Sequence, residues 1–269
     1  MKMEKLIEVK DLSVKYSSKT TVLGKKQKHL TAVDKVSLDF YKGEVLGIVG
    51  ESGSGKSTAA RCLLNIIKDV DKQAQVTGSI LYKGKELTGI KHKDLKPIRK
   101  KIQGIFQDPD SSLNCIYTAE EIIEEPLKYL TEFTKTERNT LVRDVMIKCG
   151  LSDGDASKYP SEFSAGQKQR ICIARALVTK PEVLIADEPL SSLDISIQGQ
   201  IINLLMDLKE EYGLSIIFIT HDLNIVKVFC DRVIVMKDGR IVEEGKTDEV
   251  AANPKEEYTK MLFEANISI

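Results

Sequence analysis

The sequence lacks paired cysteines, long apolar runs and an excess of charge of either sign. Its five cysteines are scattered and form no Cys-x-x-Cys pair, which argues against a cysteine metal site and a disulfide framework and fits a reducing cytosol. No apolar run approaches the ~20 residues of a membrane span, and the polar start of the chain is not expected to be a secretory signal. Because 40 basic residues balance 40 acidic ones, the composition gives no general attraction to nucleic acid or to an anionic membrane.

The length of 269 residues is enough for a sizeable buried core and predicts one or two domains. Partly alternating apolar residues predict strands over 6–16, 32–41 and 78–83, and a polar, lysine-rich loop over 17–29. Short strands around a single loop–helix unit predict a mixed sheet with an antiparallel part.

A phosphate-binding loop stands between a predicted strand and a predicted helix. It matches G-x-x-x-x-G-K-[ST], directly after the apolar run 45–49. Glycines let the backbone N–H groups turn inward, and the N-terminus of the following helix adds positive potential, so the loop predicts a cradle for phosphate. A glycine- and serine-rich turn is the structural alternative, but the Lys-Ser pair in this setting favours a nucleoside triphosphate. The residues predicted to bind ATP here are Gly50, Glu51, Ser52, Gly53, Ser54, Gly55, Lys56, Ser57 and Thr58.

Two side chains of this loop have separate predicted tasks. Lys56 supplies a mobile positive charge for the β- and γ-phosphates. Ser57 supplies a hydroxyl oxygen to Mg²⁺, which prefers oxygen ligands. The loop thus predicts a nucleotide site without showing which process the energy of nucleotide hydrolysis drives.

A later apolar strand, predicted within residues 181–189, ends in two carboxylates. Such a run is typical of a parallel strand buried on both faces, and its carboxyl end is where doubly wound sheets bind ligands. Asp187 is placed to hold Mg²⁺, directly or through water, and Glu188 is placed to orient or deprotonate an attacking water. A carboxylate pair at a helix N-terminus is the alternative, but the phosphate loop upstream favours the catalytic interpretation.

Residues 118–180 show helical patterns and no obvious strand, which predicts a helical subdomain inserted in the α/β core. Thr118 is expected to cap a first helix, a second covers 136–149, and a third opens at Ser164 and ends near Val178. Further along, the predicted elements are a helix over 196–211, a strand over 214–219, a hairpin around Asp238-Gly239, and short helices around Asn253-Pro254.

Three features allow more than one interpretation. Tyr16 ends the first strand, where an aromatic ring can stack on adenine, although position alone favours an ordinary edge-strand tyrosine. The basic run 91–101 is a candidate nucleic-acid or lipid patch, but a solvated surface is favoured because no aromatic residues are interleaved. His221 follows a predicted strand; a lone histidine is usually structural, but this position favours contact with the γ-phosphate or water.

Together these motifs resemble those of the ATP-binding subunits of ABC transporters over nearly the whole chain. The phosphate loop is similar to Walker A, Gln107 falls at the Q-loop glutamine, residues 183–188 resemble Walker B with the catalytic glutamate, and His221 resembles the switch histidine. The family signature is similar to Ser164, Ala165, Gly166 and Gln167, and the D-loop to Ser192, Leu193 and Asp194.

The resemblance implies an α/β P-loop NTPase fold with a mixed-sheet RecA-like core, an antiparallel β subdomain and an inserted helical subdomain. It implies one ABC ATP-binding domain over residues 1–269, with its core at about 1–110 and 180–245, helical subdomain at about 111–179 and tail at 246–269. The implied ligands are ATP and Mg²⁺. Tyr16 and Gln107 join the ATP site; Ser57, Gln107 and Asp187 hold Mg²⁺; Glu188 and His221 are the catalytic residues.

Within that superfamily the chain is most similar to ATPases of bacterial oligopeptide, dipeptide and nickel importers. This similarity rests on residues 106–109, 112–114, 122–127 and 193–198, and on Asn253-Pro254 with Tyr258-Thr259. Two positions depart from the family pattern. Ala165 replaces the usual glycine of the signature, and its Cβ narrows the approach to phosphate; Cys115 stands where relatives often have proline.

The resemblance also implies partners and a location. These are a second ABC ATPase subunit, identical or related, two membrane permease subunits and, indirectly, an extracytoplasmic solute-binding protein, with no nucleic acid. The chain is then expected at the cytoplasmic face of the cell membrane as a peripheral subunit, coupling ATP hydrolysis to uptake of peptides or, alternatively, nickel.

Other functions remain open from the sequence. A soluble ABC-type ATPase acting on DNA or ribosomes usually carries two cassettes or a long coiled-coil insertion, and neither is found here. A regulatory nucleotide-binding module without turnover is disfavoured by Glu188 and His221. Exporter ATPases are often fused to membrane helices, which this sequence lacks.

Overall fold

The computed structural model describes residues 4–17 and 29–265. The polar loop predicted over 17–29 therefore lies outside the described residues, except for its two end positions, which belong to strands. The chain packs as two compact units. The first contains the described residues before Lys91 together with those from Phe218 onward, and the second contains residues 91–217.

The described residues form both strands and helices. The strands are β1 (Lys5–Ser17), β2 (His29–Tyr41), β3 (Val45–Val49), β4 (Gln75–Tyr82), β5 (Lys85–Glu86), β6 (Ile102–Ile105), β7 (Val183–Asp187), β8 (Ser215–Ile219), β9 (Arg232–Lys237) and β10 (Arg240–Lys246). The helices are α1 (Lys56–Leu63), α2 (Ile67–Val70), α3 (His92–Lys101), α4 (Pro109–Ser112), α5 (Ala119–Leu130), α6 (Lys135–Lys148), α7 (Ala165–Leu177), α8 (Ile195–Tyr212), α9 (Leu223–Phe229), α10 (Thr247–Ala252) and α11 (Glu257–Ala265). Short 3-10 turns cover Asp153–Asp155 and Pro160–Glu162.

The first unit contains an antiparallel sheet whose strands are ordered β2–β1–β4–β5. Strand β1 pairs with β2 on one side and with β4 on the other. Its apolar side chains, such as Ile7, Val9 and Val14, are buried, while Lys10 and Lys15 are exposed, as expected for a strand with one solvated face.

A mixed group of strands follows in the same unit. All five residues of β3 are buried, and β3 runs parallel to β9. Strand β10 then returns antiparallel to β9 through Asp238 and Gly239, which have φ of 48° and 79°. Positive φ angles at both central residues are typical of the tight hairpin turn whose backbone twist matches that of the flanking strands. The hairpin prediction is therefore confirmed.

In the second unit, β6 and β7 form a parallel pair, and β7 is buried along its whole length. Thr118, Thr134 and Ser164 are the N-caps of α5, α6 and α7. Each cap hydroxyl accepts from the N–H three residues on, whose side chain accepts from the N–H of the cap. This capping box satisfies two backbone donors at each helix start. The three predicted helices are confirmed to within a residue or two.

The sequence missed some local structure. The basic run 91–101 is mostly exposed but forms helix α3, because Leu95 and Ile98 lie on one buried face. The apolar spacing predicts that Ile197, Ile201, Leu204, Leu205 and Leu208 share one face of α8. The buried residues are instead Ile201, Ile202, Leu205 and Leu208. The α/β class, with a mixed and an antiparallel sheet, is confirmed, whereas the proposed boundaries of core and helical subdomain stay a prediction. Within the described ranges, none of the helices is long and apolar enough to cross a membrane.

Candidate functional site

The phosphate loop requires glycine at specific points. Gly50, Gly53 and Gly55 have φ of 149°, 83° and 101°, a region that residues with a Cβ rarely adopt. A Cβ on Gly50 would lie 2.1 Å from the carbonyl oxygen of Met236, and one on Gly55 would lie 2.3 Å from that of Ala32. These glycines therefore let the loop pass directly against the backbones of β9 and β2.

Lys56 begins helix α1, and its charged side chain is buried within the loop at 4% exposure. Its Nζ donates to the carbonyl oxygens of Gly50 at 2.7 Å and Glu51 at 2.8 Å. Burying an ammonium group is costly unless oxygen acceptors surround it. The loop thus positions a cation among polar acceptors at a helix N-terminus, which suits exchange onto a phosphate.

Two contacts from the C-terminal part of the chain support the loop, and sequence reasoning assigned neither. The N–H of Gly239, in the β9–β10 turn, donates to the carbonyl oxygen of Ser54 at 3.0 Å. The N–H of Glu51 donates to the hydroxyl of Tyr258 on α11 at 3.1 Å. In the sequence, Tyr258 contributes only to the family resemblance, and no spacing rule links it to a loop 207 residues away.

Tyr16 and His221 lie in the same unit as the phosphate loop. Tyr16 pairs with Leu30 in the β1–β2 ladder and is half-buried; Ala32, two residues beyond Leu30, approaches Gly55. The N–H of Thr220 donates to the carbonyl oxygen of Ile48 at 3.3 Å, so His221 follows a residue bonded to the strand that leads into the loop. Neither contact shows what the side chain of Tyr16 or His221 does. Adenine stacking by Tyr16 and the catalytic role of His221 therefore stay predictions.

In the second unit, the carboxyl end of β7 carries the two predicted acids. Asp187 is the last strand residue and is 5% exposed. Glu188 follows with φ of 47°, an unfavourable backbone angle for a residue with a long side chain. The Nε2 of Gln107, beyond the neighbouring strand β6, donates to Glu188 Oε2 at 3.1 Å. The structure thus brings a predicted Mg²⁺ ligand, Gln107, next to the predicted catalytic glutamate, Glu188.

The signature residues open helix α7. The Ser164 hydroxyl accepts from the N–H of Gln167 at 3.3 Å, and the Gln167 side chain accepts from the N–H of Ser164 at 3.0 Å. Ala165 is exposed at the first helical position, whereas Gly166 is buried against α8. A Cβ on Gly166 would meet the Ile197 side chain at 2.8 Å, so a larger residue here would displace Ile197.

The signature helix also holds the segment that follows Gln107. Lys168 forms an ion pair with Asp110 at 2.5 Å. Arg175 donates to the carbonyl oxygen of Ser112 at 2.6 Å. Both partners lie on the short helix α4, so α7 and the stretch beginning at Gln107 are linked at two points that the sequence did not indicate.

The D-loop residues precede helix α8, and Asp194 is its N-cap. Its carboxylate accepts from the N–H of Ile197 at 3.0 Å and the hydroxyl of Ser196 at 2.8 Å. The hydrogen bond from Ile197, followed by that from Ser196, lowers the pKa of this carboxyl. Leu193 is buried and Ser192 is exposed, so within the chain Asp194 acts as a helix cap.

The residues predicted to hold Mg²⁺ have suitable chemistry. Ser57, Gln107 and Asp187 offer a hydroxyl, an amide carbonyl and a carboxylate oxygen, which is the hard-oxygen set that Mg²⁺ prefers. Magnesium in nucleotide sites is typically held by one or two carboxylates together with substrate phosphates. The donor set therefore fits this ion.

Comparison with known proteins places these features in a family. A family model described as ABC transporter matches residues 33–191. The oligopeptide transport ATP-binding protein OppF of Escherichia coli (strain K12) is 47% identical over 266 residues, covering 97% of this chain and 77% of that protein. The oligopeptide transport ATP-binding protein AppF of Bacillus subtilis (strain 168) is 43% identical over 261 residues, covering 97% of this chain and 78% of that protein.

A solved structure with a similar fold contains nucleotide. It is the dimeric, post-hydrolysis state of the ATP-binding cassette MJ0796 bound to ADP and Pi, with a TM-score of 0.74 and 32% identity. The similarity covers 90% of this chain and 99% of that one.

Proposed function

This chain belongs to the ABC transporter family and is an ATPase, and we propose that it powers an importer for oligopeptides. Two relatives, from Escherichia coli and Bacillus subtilis, are both named oligopeptide transport ATP-binding proteins, and they support this cargo over nickel. The observation that carries the ATPase assignment is the phosphate loop, in which the buried Lys56 ammonium is held by the carbonyls of Gly50 and Glu51.

We propose that ATP binds along residues 50–58. Their N–H groups and the N-terminus of α1 would surround the phosphates, and Lys56 would leave the loop carbonyls to contact the β- and γ-phosphates. Tyr16 would stack on the adenine. Ser57, Gln107 and Asp187 would hold Mg²⁺, which, when bound, offsets the negative charge of the phosphates.

The proposed catalytic base is Glu188. Its carboxylate would accept a proton from the attacking water, and the hydrogen bond from Gln107 supports a fixed orientation for it. His221 would orient the same water. Asp187, buried at the end of β7, would act through the metal site rather than as the base.

The working unit we propose is a head-to-tail pair of ATPase subunits. Each ATP would lie between the loop 50–58 of one subunit and the signature residues Ser164 to Gln167 of its partner, where the N-terminus of α7 attracts the γ-phosphate. The dimeric structure of a related cassette bound to ADP and Pi supports the pairing of two cassettes. Two membrane permeases, served by an extracytoplasmic solute-binding protein, would hold the pair as a peripheral complex at the cytoplasmic face of the membrane.

The test is a pull-down of the full chain carrying Glu188→Gln from native membranes in the presence of ATP, because slow hydrolysis should preserve the assembled complex. We expect two multispanning permeases and an ATPase partner to copurify with it. Recovery of ribosomes or DNA-bound proteins without permeases would show that the cassette serves a different machine.

Cargo is tested separately. Deleting the gene for this chain should abolish uptake of a labelled tetrapeptide and leave uptake of labelled Ni²⁺ unchanged. Loss of nickel uptake with normal peptide uptake would reject the proposed cargo while leaving the ATPase assignment intact.

A further inference from the structure

Tyr258 reaches the phosphate loop from the far end of the chain. It is the second residue of α11, its side chain is buried at 7% exposure, and its hydroxyl accepts from the N–H of Glu51 at 3.1 Å. The Lys237 ammonium lies 4.6 Å from the centroid of its ring, close enough for a cation–π interaction. Burial raises the pKa of the Tyr258 hydroxyl, so the group stays protonated near neutral pH and accepts through a lone pair.

This hydrogen bond acts on one particular peptide group. The peptide between Gly50 and Glu51 has its carbonyl bonded to Lys56 Nζ at 2.7 Å and its N–H bonded to Tyr258 at 3.1 Å. Because a trans peptide is planar and its C=O and N–H point in opposite directions, fixing one end fixes the other. Tyr258 therefore helps to set the direction of the carbonyl that holds the loop lysine.

Because residue 50 is a glycine, the orientation of the Gly50–Glu51 peptide depends on contacts from outside the loop. Gly50 has φ of 149° and no side chain to restrict rotation of the following peptide. A loop free to rotate there would have to be ordered each time it binds phosphate, and that ordering reduces affinity. A fixed partner on a packed helix removes part of that cost.

Helix α11 is well anchored for such a role. The carboxylate of Glu243, on β10, accepts from the N–H groups of Lys255 at 2.8 Å and Glu256 at 3.1 Å, just before the helix begins. Burial opposes ionisation of Glu243, but these two hydrogen bonds contribute to lowering its pKa. The start of α11, and with it Tyr258, is thus tied to the strand that leaves the β9–β10 turn.

We infer that Tyr258 is a positioning residue for nucleotide binding, whose hydroxyl holds the Gly50–Glu51 peptide and thereby pre-organises the loop for the phosphates of ATP. This inference rests on the proposed nucleotide site at residues 50–58. It adds a contact from helix α11 to those that hold the phosphate loop in place.

The test is Tyr258→Phe in the full chain, which removes the hydroxyl and keeps the ring. We expect the Kd for ATP in the presence of Mg²⁺, measured by titration calorimetry, to rise about three- to tenfold, the range for one lost hydrogen bond. The KM for ATP should rise by a similar factor while kcat changes less than twofold. Tyr129→Phe, at a tyrosine that is 70% exposed on α5, is the matched control and should leave both unchanged.

Three outcomes would overturn the inference. A wild-type Kd in Tyr258→Phe would do so directly, and so would a lower melting temperature with unchanged KM, since that marks a purely structural role. An equal loss in Tyr129→Phe would also do so. Lys56→Ala separates the two proposals: if it leaves the ATP affinity unchanged, the nucleotide site itself is wrong, whereas loss of binding in Lys56→Ala with normal Tyr258→Phe rejects only the role of Tyr258.

Discussion

The side-chain amide of Gln107 donates a hydrogen bond of 3.1 Å to the carboxylate of Glu188. The two residues are 81 positions apart in sequence but follow the adjacent parallel strands β6 and β7, whose carboxyl ends lie at one edge. An amide that donates through Nε2 keeps Oε1 as an acceptor. One glutamine can therefore orient the proposed base and still offer an oxygen to the proposed Mg²⁺.

Glu188→Gln should slow ATP hydrolysis by about 10²–10⁴-fold, as expected for loss of a general base. The amide is nearly the same size as the carboxylate, so ATP binding should be retained. Single-turnover hydrolysis and an ATP titration on the same preparation measure the two effects. Glu210→Gln, at an exposed position on α8, is the control for losing one carboxylate. Unchanged turnover in Glu188→Gln would remove Glu188 from the catalytic role.

Residues whose tasks are set by neighbours in sequence could be predicted. The glycines of the phosphate loop, the caps at Thr118 and Ser164 and the Asp238-Gly239 turn each depend on a pattern within a few residues. Their local chemistry leaves few alternatives, so sequence and structure agree.

Contacts between distant segments could not be predicted. The hydrogen bond from Glu51 to Tyr258 and the ion pair of Lys168 with Asp110 join positions 207 and 58 residues apart. Helix α3 was missed for another reason: its two buried residues are outnumbered by lysines and an arginine, which made the segment look like plain surface. In each case tertiary packing decides what local composition does not.

Gly50→Ala should disrupt the phosphate loop through a steric clash, in addition to the strain of a positive φ angle. The added Cβ would lie 2.1 Å from the carbonyl oxygen of Met236, and a backbone atom cannot rotate away as a side chain can. Either the loop or β9 has to shift, so we expect ATP affinity to fall by at least about tenfold, corresponding to ~1.4 kcal/mol. Gly199→Ala is the control, because that position has open space around it. An unchanged ATP affinity in Gly50→Ala would contradict the proposed binding loop.

Ala165→Gly should strengthen ATP-dependent pairing of two chains. Ala165 is exposed at the start of α7, where a partner's γ-phosphate would approach, and removing its Cβ widens that approach. The fold should be unaffected apart from the modest helix cost of glycine, below about 1 kcal/mol. Sedimentation with ATP in a Glu188→Gln background measures the pairing, and Ala165→Val should shift it in the opposite direction. Equal dimerisation of the proteins with alanine, glycine and valine at position 165 would refute a role for this position.

Asp155 gives a pH-dependent contribution to stability in the turn that leads from α6 to α7. Its carboxylate accepts from Lys158 Nζ at 2.7 Å, from the Ser152 N–H at 2.8 Å and from the Ser152 hydroxyl at 2.7 Å. The hydrogen bond from Lys158, followed by those from Ser152, lowers the pKa of Asp155 from 3.8 to about 2. The carbonyls of Ala156 and Lys158 accept from the first N–H groups of α5, so this turn also stabilises a helix start.

The sign of the pH effect follows from the lower pKa in the folded state. The stabilisation is fully present above the unfolded value of 3.8 and is lost as the pH falls through about 2. Asp155→Asn should therefore reduce the free energy of unfolding by about 1 kcal/mol at pH 7, a figure that allows for solvent screening of the half-exposed Lys158. Urea denaturation of the two proteins should show this difference narrowing below pH 4. Asp153→Asn, at an exposed carboxyl in the same turn, controls for the loss of one charge; a gap in Asp155→Asn that stayed constant from pH 7 to pH 2 would show that the ionised hydrogen bonds do not stabilise this turn.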